Sequence, residues 1–177
     1  MRYIGVGALV LLLGACSQES KSEAVITDTE VTPSLDPLLS YKGVSTNNVI
    51  NAVESAQAIE QLKVGDGVLI LAQPVCSWCQ LVMPVIDEVS KELKLDNVYY
   101  VDSSLITTKE EKEALQVLLE GNLVVENEEI ILYTPDVYVF KNGKVAGRQL
   151  GGVESSNEVE QTTQLKEIYQ TLFEIIK

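Results

Sequence analysis

The chain has 177 residues, with 13 Lys and Arg against 26 Asp and Glu, three cysteines and no histidine. This is long enough for one domain with a sizeable core. A net charge of −13 argues against a nucleic-acid binder, which needs a basic face. The acidity reads as a solvated surface with at most a mild preference for basic clients.

Residues 1–16 read as a targeting segment. Arg2 gives a positive start, and residues 3–13 form an apolar run too short to cross a bilayer comfortably as a mature helix. The run closes in Leu13-Gly14-Ala15-Cys16. This resembles a bacterial lipoprotein signal, in which two small residues precede a cysteine that is acylated and becomes the new N-terminus. The resemblance implies a signal peptide over residues 1–15, lipidation at Cys16 and a lipid anchor on the extracytoplasmic face of a bacterial membrane. A plain secretory leader with an incidental cysteine is the alternative, and it too exports the domain. Residues 16–40 hold the lipidated cysteine and a flexible tether rich in Ser, Glu, Thr and Pro. The folded domain is expected over residues 41–177.

Residues 45–63 have a helical pattern, with Val49, Ile50, Val53, Ile59 and Leu62 able to share a face and Ser45 or Thr46 as cap. Gly65-Asp66-Gly67 is a turn. Residues 67–72, Gly-Val-Leu-Ile-Leu-Ala, read as a buried strand. Val82, Val85, Ile86, Val89 and Leu93 then mark a helix that ends near Leu95. Between strand and helix stands Cys76-Ser77-Trp78-Cys79. A helix N-terminus carries partial positive charge and unpaired N–H groups, which favour a thiolate over a thiol. Cys76 is expected at the helix start and exposed. Cys79, one turn on, is expected beneath it within disulfide reach. A four-ligand zinc site is not expected, because only these two cysteines remain outside the leader.

Residues 97–101 give a second strand. Residues 107–119 give a helix with its charged run outward and Leu115, Leu118 and Leu119 inward, stopped by Gly121-Asn122. Residues 123–132 are either two short strands or a loop and a strand end. Tyr133-Thr134-Pro135-Asp136 leads into a strand over 137–140, an Asn142-Gly143 hairpin turn and a partner strand over 145–150. Gly151-Gly152 closes it, and residues 159–176 form a terminal amphipathic helix. The order helix, strand, helix, strand, helix, hairpin, helix implies a mixed sheet covered on both faces.

Four features together resemble a thioredoxin-fold protein over roughly residues 44–177. They are the Cys76–Cys79 pair between strand and helix, Pro84 eight residues past the first cysteine, Thr134-Pro135 before an apolar strand, and the last hairpin with its closing glycines. The resemblance implies an α/β fold, a thioredoxin-like three-layer α/β/α sandwich with a mixed central sheet. It implies a redox-active Cys76–Cys79 disulfide, no other cofactor, and a cis Pro135 facing the cysteines. Two departures stand out: Val75 precedes the first cysteine where an aromatic is usual, and Ile70 occupies the place of a buried acid.

In thiol–disulfide exchange Cys76 would attack and Cys79 would resolve, with Trp78, Thr134 and Pro135 toward the substrate. Trp78 reads either as an exposed apolar contact for clients or as a lid over the disulfide. Tyr99 and Tyr100 read as packing. Ser77 and Trp78 bring no charge between the cysteines, so a moderate-to-reducing potential is expected, favouring reductase or isomerase over oxidase. The expected activity is a membrane-tethered thiol–disulfide oxidoreductase for exported cysteine-containing proteins or peptides, served by a membrane electron partner. The alternatives are a thioredoxin-fold accessory or binding protein with little redox turnover, and a copper-handling thiol protein, which would lack the usual His and Met ligands.

Overall fold

The computed structural model describes residues 36–177. Among the described residues, seven strands, four α-helices and three short 3-10 turns follow one another. In chain order the regular elements are β1 (Ile50–Ala52), α1 (Ser55–Leu62), β2 (Gly67–Ala72), α2 (Ser77–Leu93), β3 (Val98–Asp102), α3 (Lys109–Leu118), β4 (Val124–Glu126), β5 (Glu129–Ile131), β6 (Asp136–Lys141), β7 (Lys144–Leu150) and α4 (Glu158–Phe173). Residues 1–15, Cys16 and all but the last few tether positions lie outside the described residues. Among the described residues no helix is long and apolar enough to cross a membrane.

The main sheet has the order β1-β3-β2-β6-β7. Strands β1, β2 and β3 run parallel, while β6 and β7 are antiparallel additions. Strand β2 is central and buried on both faces, which is why it reads as an unbroken apolar run. Its alternate side chains serve two cores. Val68, Ile70 and Ala72 face α2 and α4, in one cluster with Val82, Ile86, Leu165 and Phe173. Leu69 and Leu71 face α1 and α3, with Leu62, Leu115, Tyr138 and Phe140. The chain therefore folds as a thioredoxin-like three-layer α/β/α sandwich.

Three expectations change. The single helix over 45–63 is instead a strand followed by a shorter helix. Ile50–Ala52 pair in parallel with Val98–Tyr100, completing the edge of the sheet. Ile50 enters the α2/α4 core while Val53, Ile59 and Leu62 pack on the opposite one, so their shared helical face is not used. Ser45 does not cap a helix; its backbone N–H and hydroxyl donate to the carboxylate of buried Asp87, at 3.4 and 3.0 Å. The boundary at residue 40 also moves. Pro37–Ser40 form a 3-10 turn capped by Asp36, and Leu38 within it is 1% exposed. Residues 123–132 resolve into β4 and β5, an antiparallel pair turned by Asn127 and Glu128, both at positive φ.

Other boundaries follow local chemistry. Helix α3 opens with a capping box in which Thr108 and Glu111 satisfy each other's backbone N–H. The β6–β7 hairpin turns on Asn142 and Gly143 at φ 53° and 75°, the type I′ geometry an Asn-Gly pair favours. Helix α4 is capped by Asn157, whose side chain accepts from Val159 and Glu160. It is tied to α2 by Lys166, which meets both Glu88 and Glu92 at 2.7 Å. These pairs are largely exposed and add little to stability.

Candidate functional site

Strand β2 ends at Ala72, and four residues later Cys76 becomes the N-cap of α2. Cys76 has extended backbone angles, φ −81° and ψ 119°, and its sulfur takes the place a capping oxygen usually fills. The Cys79 backbone N–H donates to Cys76 Sγ at 3.2 Å. One of the orphan donors of the helix start therefore points at this sulfur, and the helix dipole adds to it. Cys76 is partly exposed, whereas Cys79 is fully buried; both are free thiols. Burial first, and then its hydrogen bond with Cys76, pushes the Cys79 thiol up to about 12.

Opposite the cysteines stands Thr134-Pro135, and this peptide bond is cis. The Cys76 thiol donates to the Thr134 carbonyl at 3.6 Å. A proline has no N–H to offer there, so the nearest backbone group is an acceptor aimed at the sulfur. Thr134 is half-buried and Pro135 buried. The next residue, Asp136, is completely buried, and it holds this corner in place. Arg148 donates to both carboxylate oxygens, at 2.8 and 2.7 Å, and Tyr138 Oη donates to one of them at 2.7 Å. The guanidinium also lies 5.1 Å from the centre of the Tyr138 ring. Such a pair is costly to break, because it would leave a buried charge alone.

Trp78, between the two cysteines, is 38% exposed. Its six-membered ring rests on the backbone of Gly152, so closely that a Cβ there would lie 2.2 Å from Trp78 Cε3. The ring therefore packs on Gly152 and leaves part of itself outward. Val75, 88% exposed, precedes Cys76, and Tyr133, 45% exposed, precedes Thr134; both add apolar surface.

Gln80 was not singled out from the sequence, yet it ties this region together. Its amide donates to the carbonyls of Pro74, at 2.7 Å, and of Ser40, at 3.0 Å, and its oxygen accepts from Lys42 N–H at 2.9 Å. The cysteine loop is thus bonded to the segment where the tether ends. Pro84, inside α2, meets that same segment at Gly43, where a Cβ would lie 3.3 Å from the Pro84 Cβ. A buried polar pair lies deeper: Tyr41 Oη donates to Tyr100 Oη at 3.1 Å. Tyr41 is the first residue of the domain expected from the sequence, and no local pattern there pairs it with Tyr100.

Cys16 lies outside the described residues. Among those described, no cluster of three or more His, Cys, Asp or Glu forms a metal site. The arrangement has the parts that thiol–disulfide exchange needs: a partly exposed sulfur with a backbone N–H aimed at it, a second sulfur one helical turn away, and a backbone acceptor opposite.

No protein-family model and no curated protein matches this sequence. Among solved structures the chain is similar to thioredoxin O2 of Arabidopsis thaliana, in its oxidised state, at 20% identity and a TM-score of 0.45, covering 71% of this chain and 96% of that one. It is similar to thioredoxin O1 of the same plant at 21% and 0.46, covering 72% and 99%. A Malassezia sympodialis thioredoxin is similar at 17% and 0.42, covering 69% and 92%.

Proposed function

We propose that the chain is a thiol–disulfide oxidoreductase, tethered by lipid at Cys16 to the extracytoplasmic face of a bacterial membrane, that reduces or isomerises disulfides in exported proteins. The carrying observation is the pair of sulfurs at the α2 N-terminus, one open and one buried, with the Thr134 carbonyl 3.6 Å from the open one. The Cys76 thiolate attacks one sulfur of a client disulfide; the other client sulfur leaves as a thiol. Cys79 then attacks Cys76 Sγ, which frees the remaining client sulfur and leaves a Cys76–Cys79 disulfide. A membrane dithiol partner returns this to two thiols.

The uncharged Ser77 and Trp78 between the cysteines support a reductase or isomerase rather than a strong oxidant. Val75, Trp78 and Tyr133 offer an unfolded client apolar contact beside the reacting sulfur. The lipid anchor is supported by Leu13-Gly14-Ala15-Cys16 after an apolar run. Insulin reduction by the purified protein tests the chemistry: Cys76→Ser is expected to abolish it. Cys79→Ala, expressed at the cell surface, is expected to hold clients as mixed disulfides. Turnover by Cys76→Ser at the wild-type rate would refute the assignment. Release of the protein from membranes without detergent would refute the anchor.

A further inference from the structure

The loop that carries Cys76 has little packing of its own. Gln73, Pro74 and Cys76 are half-buried, and Val75 is 88% exposed. Hydrogen bonds therefore set its position. Two are backbone bonds: Cys76 N–H donates to the Gln73 carbonyl at 3.1 Å, and Gln80 N–H donates to the Cys76 carbonyl at 3.0 Å. A third comes from the Gln80 side chain, which donates to the Pro74 carbonyl at 2.7 Å.

The same amide is held on its other side by a well-anchored segment. Its second N–H donates to the Ser40 carbonyl at 3.0 Å, and its oxygen accepts from Lys42 N–H at 2.9 Å. These two backbone groups flank Tyr41, whose extended angles, φ −92° and ψ 115°, turn them to one side. A carboxamide carries a donor beside an acceptor and matches such a pair; a Glu side chain would lack the donors, and a Lys the acceptor. Tyr41 itself is 1% exposed, and its hydroxyl is bonded to Tyr100 Oη at 3.1 Å. Position is thus passed from a buried ring, through one amide, to the carbonyl two residues before Cys76. Both amide hydrogens are used within the chain, so no N–H is left to hold a client.

We propose that Gln80 is a positioning residue for the attack by Cys76. Its amide holds the loop over residues 74–76 so that the sulfur stays at the cap of α2, 3.2 Å from the Cys79 nitrogen and 3.6 Å from the Thr134 carbonyl. This rests on the oxidoreductase reading. Cys76 Sγ bonds to one client sulfur as the client disulfide breaks, and the other client sulfur leaves with the electron pair and takes up a proton. Gln80 touches no reacting atom and gives up no proton.

The test uses the reduced full chain carrying Cys16→Ser, in excess over a fluorescent peptide with one disulfide. A single turnover gives the limiting rate and the half-saturating concentration. Gln80→Met keeps the length of the side chain and removes its donors and its acceptor. The limiting rate is expected to fall about tenfold, since misplacing a reacting group by about 1 Å costs up to about a hundredfold. The half-saturating concentration is expected to stay at the wild-type value. Gln116, on α3, supplies a matched control: its amide donates to the Leu123 carbonyl at 3.3 Å and accepts from Leu123 N–H at 3.0 Å. Gln116→Met is expected to lower the urea midpoint as Gln80→Met does, with both kinetic values unchanged.

A wild-type limiting rate in Gln80→Met, or an equal loss of rate in the two variants, would overturn this inference alone. So would a raised half-saturating concentration with the rate held, which would make Gln80 a client contact. A wild-type protein that leaves the peptide oxidised would overturn the oxidoreductase reading and this inference with it.

Discussion

Replacing Gly152 by alanine isolates the contact that sets Trp78. The backbone of Gly152 does not lie in the left-handed region, so alanine meets no conformational penalty there. It meets the indole instead: the added Cβ would sit 2.2 Å from Trp78 Cε3 and 2.7 Å from Cζ3. Ordinary carbon contacts are about 3.5–4.0 Å, so the ring must retreat by about 1.3–1.8 Å. Overpacking of this size costs about 1–3 kcal/mol. Because Trp78 is 38% exposed and can move outward, the lower half of that range is expected. Gly151 supplies the control. It has φ +74°, and a Cβ there would meet nothing within 4 Å. Gly151→Ala is therefore expected to cost about 1–2 kcal/mol of backbone strain without touching the indole. Trp78 is the sole tryptophan in the chain, so its fluorescence reads this site alone. Gly152→Ala is expected to shift emission to the red and raise acrylamide quenching, with a lower urea midpoint. Gly151→Ala is expected to lower the midpoint with emission unchanged. Equal emission in the two variants would refute the packing of Trp78 on Gly152.

Leu38→Ala is expected to destabilise the domain by about 2–5 kcal/mol in urea unfolding, since Leu38 is 1% exposed and part of the main core. An unchanged midpoint would mean that the folded unit begins later. Arg148→Ala is expected to cost about 2–4 kcal/mol by the same measurement: it strands the buried Asp136 carboxylate, with water entering through the partly exposed Arg148 position to soften the loss. Stability is also expected to fall at alkaline pH. Burial and its bond to Cys76 raise the Cys79 thiol to about 12 from an ordinary 9.0, and burial raises Tyr100 to about 12 from 10.0. Tyr41, Tyr138 and Tyr169 move in the same direction, with burial the first cause. A group raised in the folded state contributes fully below its unfolded value and loses that contribution as pH rises toward the folded one. The urea midpoint of the reduced protein is thus expected to hold to about pH 9 and then decline toward pH 12. A flat midpoint across that window would refute the burial of these groups.

What the sequence disclosed and what it withheld divide along a physical line. Strand β2, helix α2 and the last hairpin are fixed by near neighbours: an apolar run, a period of three and four, and an Asn-Gly pair in type I′ geometry. Each of these can be read within a dozen residues. Strand β1 cannot. Three residues are too few to show a period, and Ile50–Ala52 extend only because β3 offers a parallel edge nearly fifty residues away. A helical window laid over residues 45–63 therefore gathers apolar side chains that face opposite sides of the sheet.

The site divides in the same way. Cys76 and Cys79 are legible because their spacing is local, and Thr134-Pro135 because its sequence before an apolar strand is distinctive. The polar contacts around them join distant parts of the chain. Gln80 reaches back to Ser40, Arg148 crosses to Asp136 from the next strand, and Tyr41 meets Tyr100 across 59 positions. In all three cases the chain spends a polar side chain inside or along a core that apolar residues would fill at lower cost. A polar residue at an interior position carries no periodic signal, so pattern reading assigns it to the surface or to packing, as it did for Tyr100. Its meaning depends on which buried group it faces: Asp136 for Arg148, and Tyr100 for Tyr41.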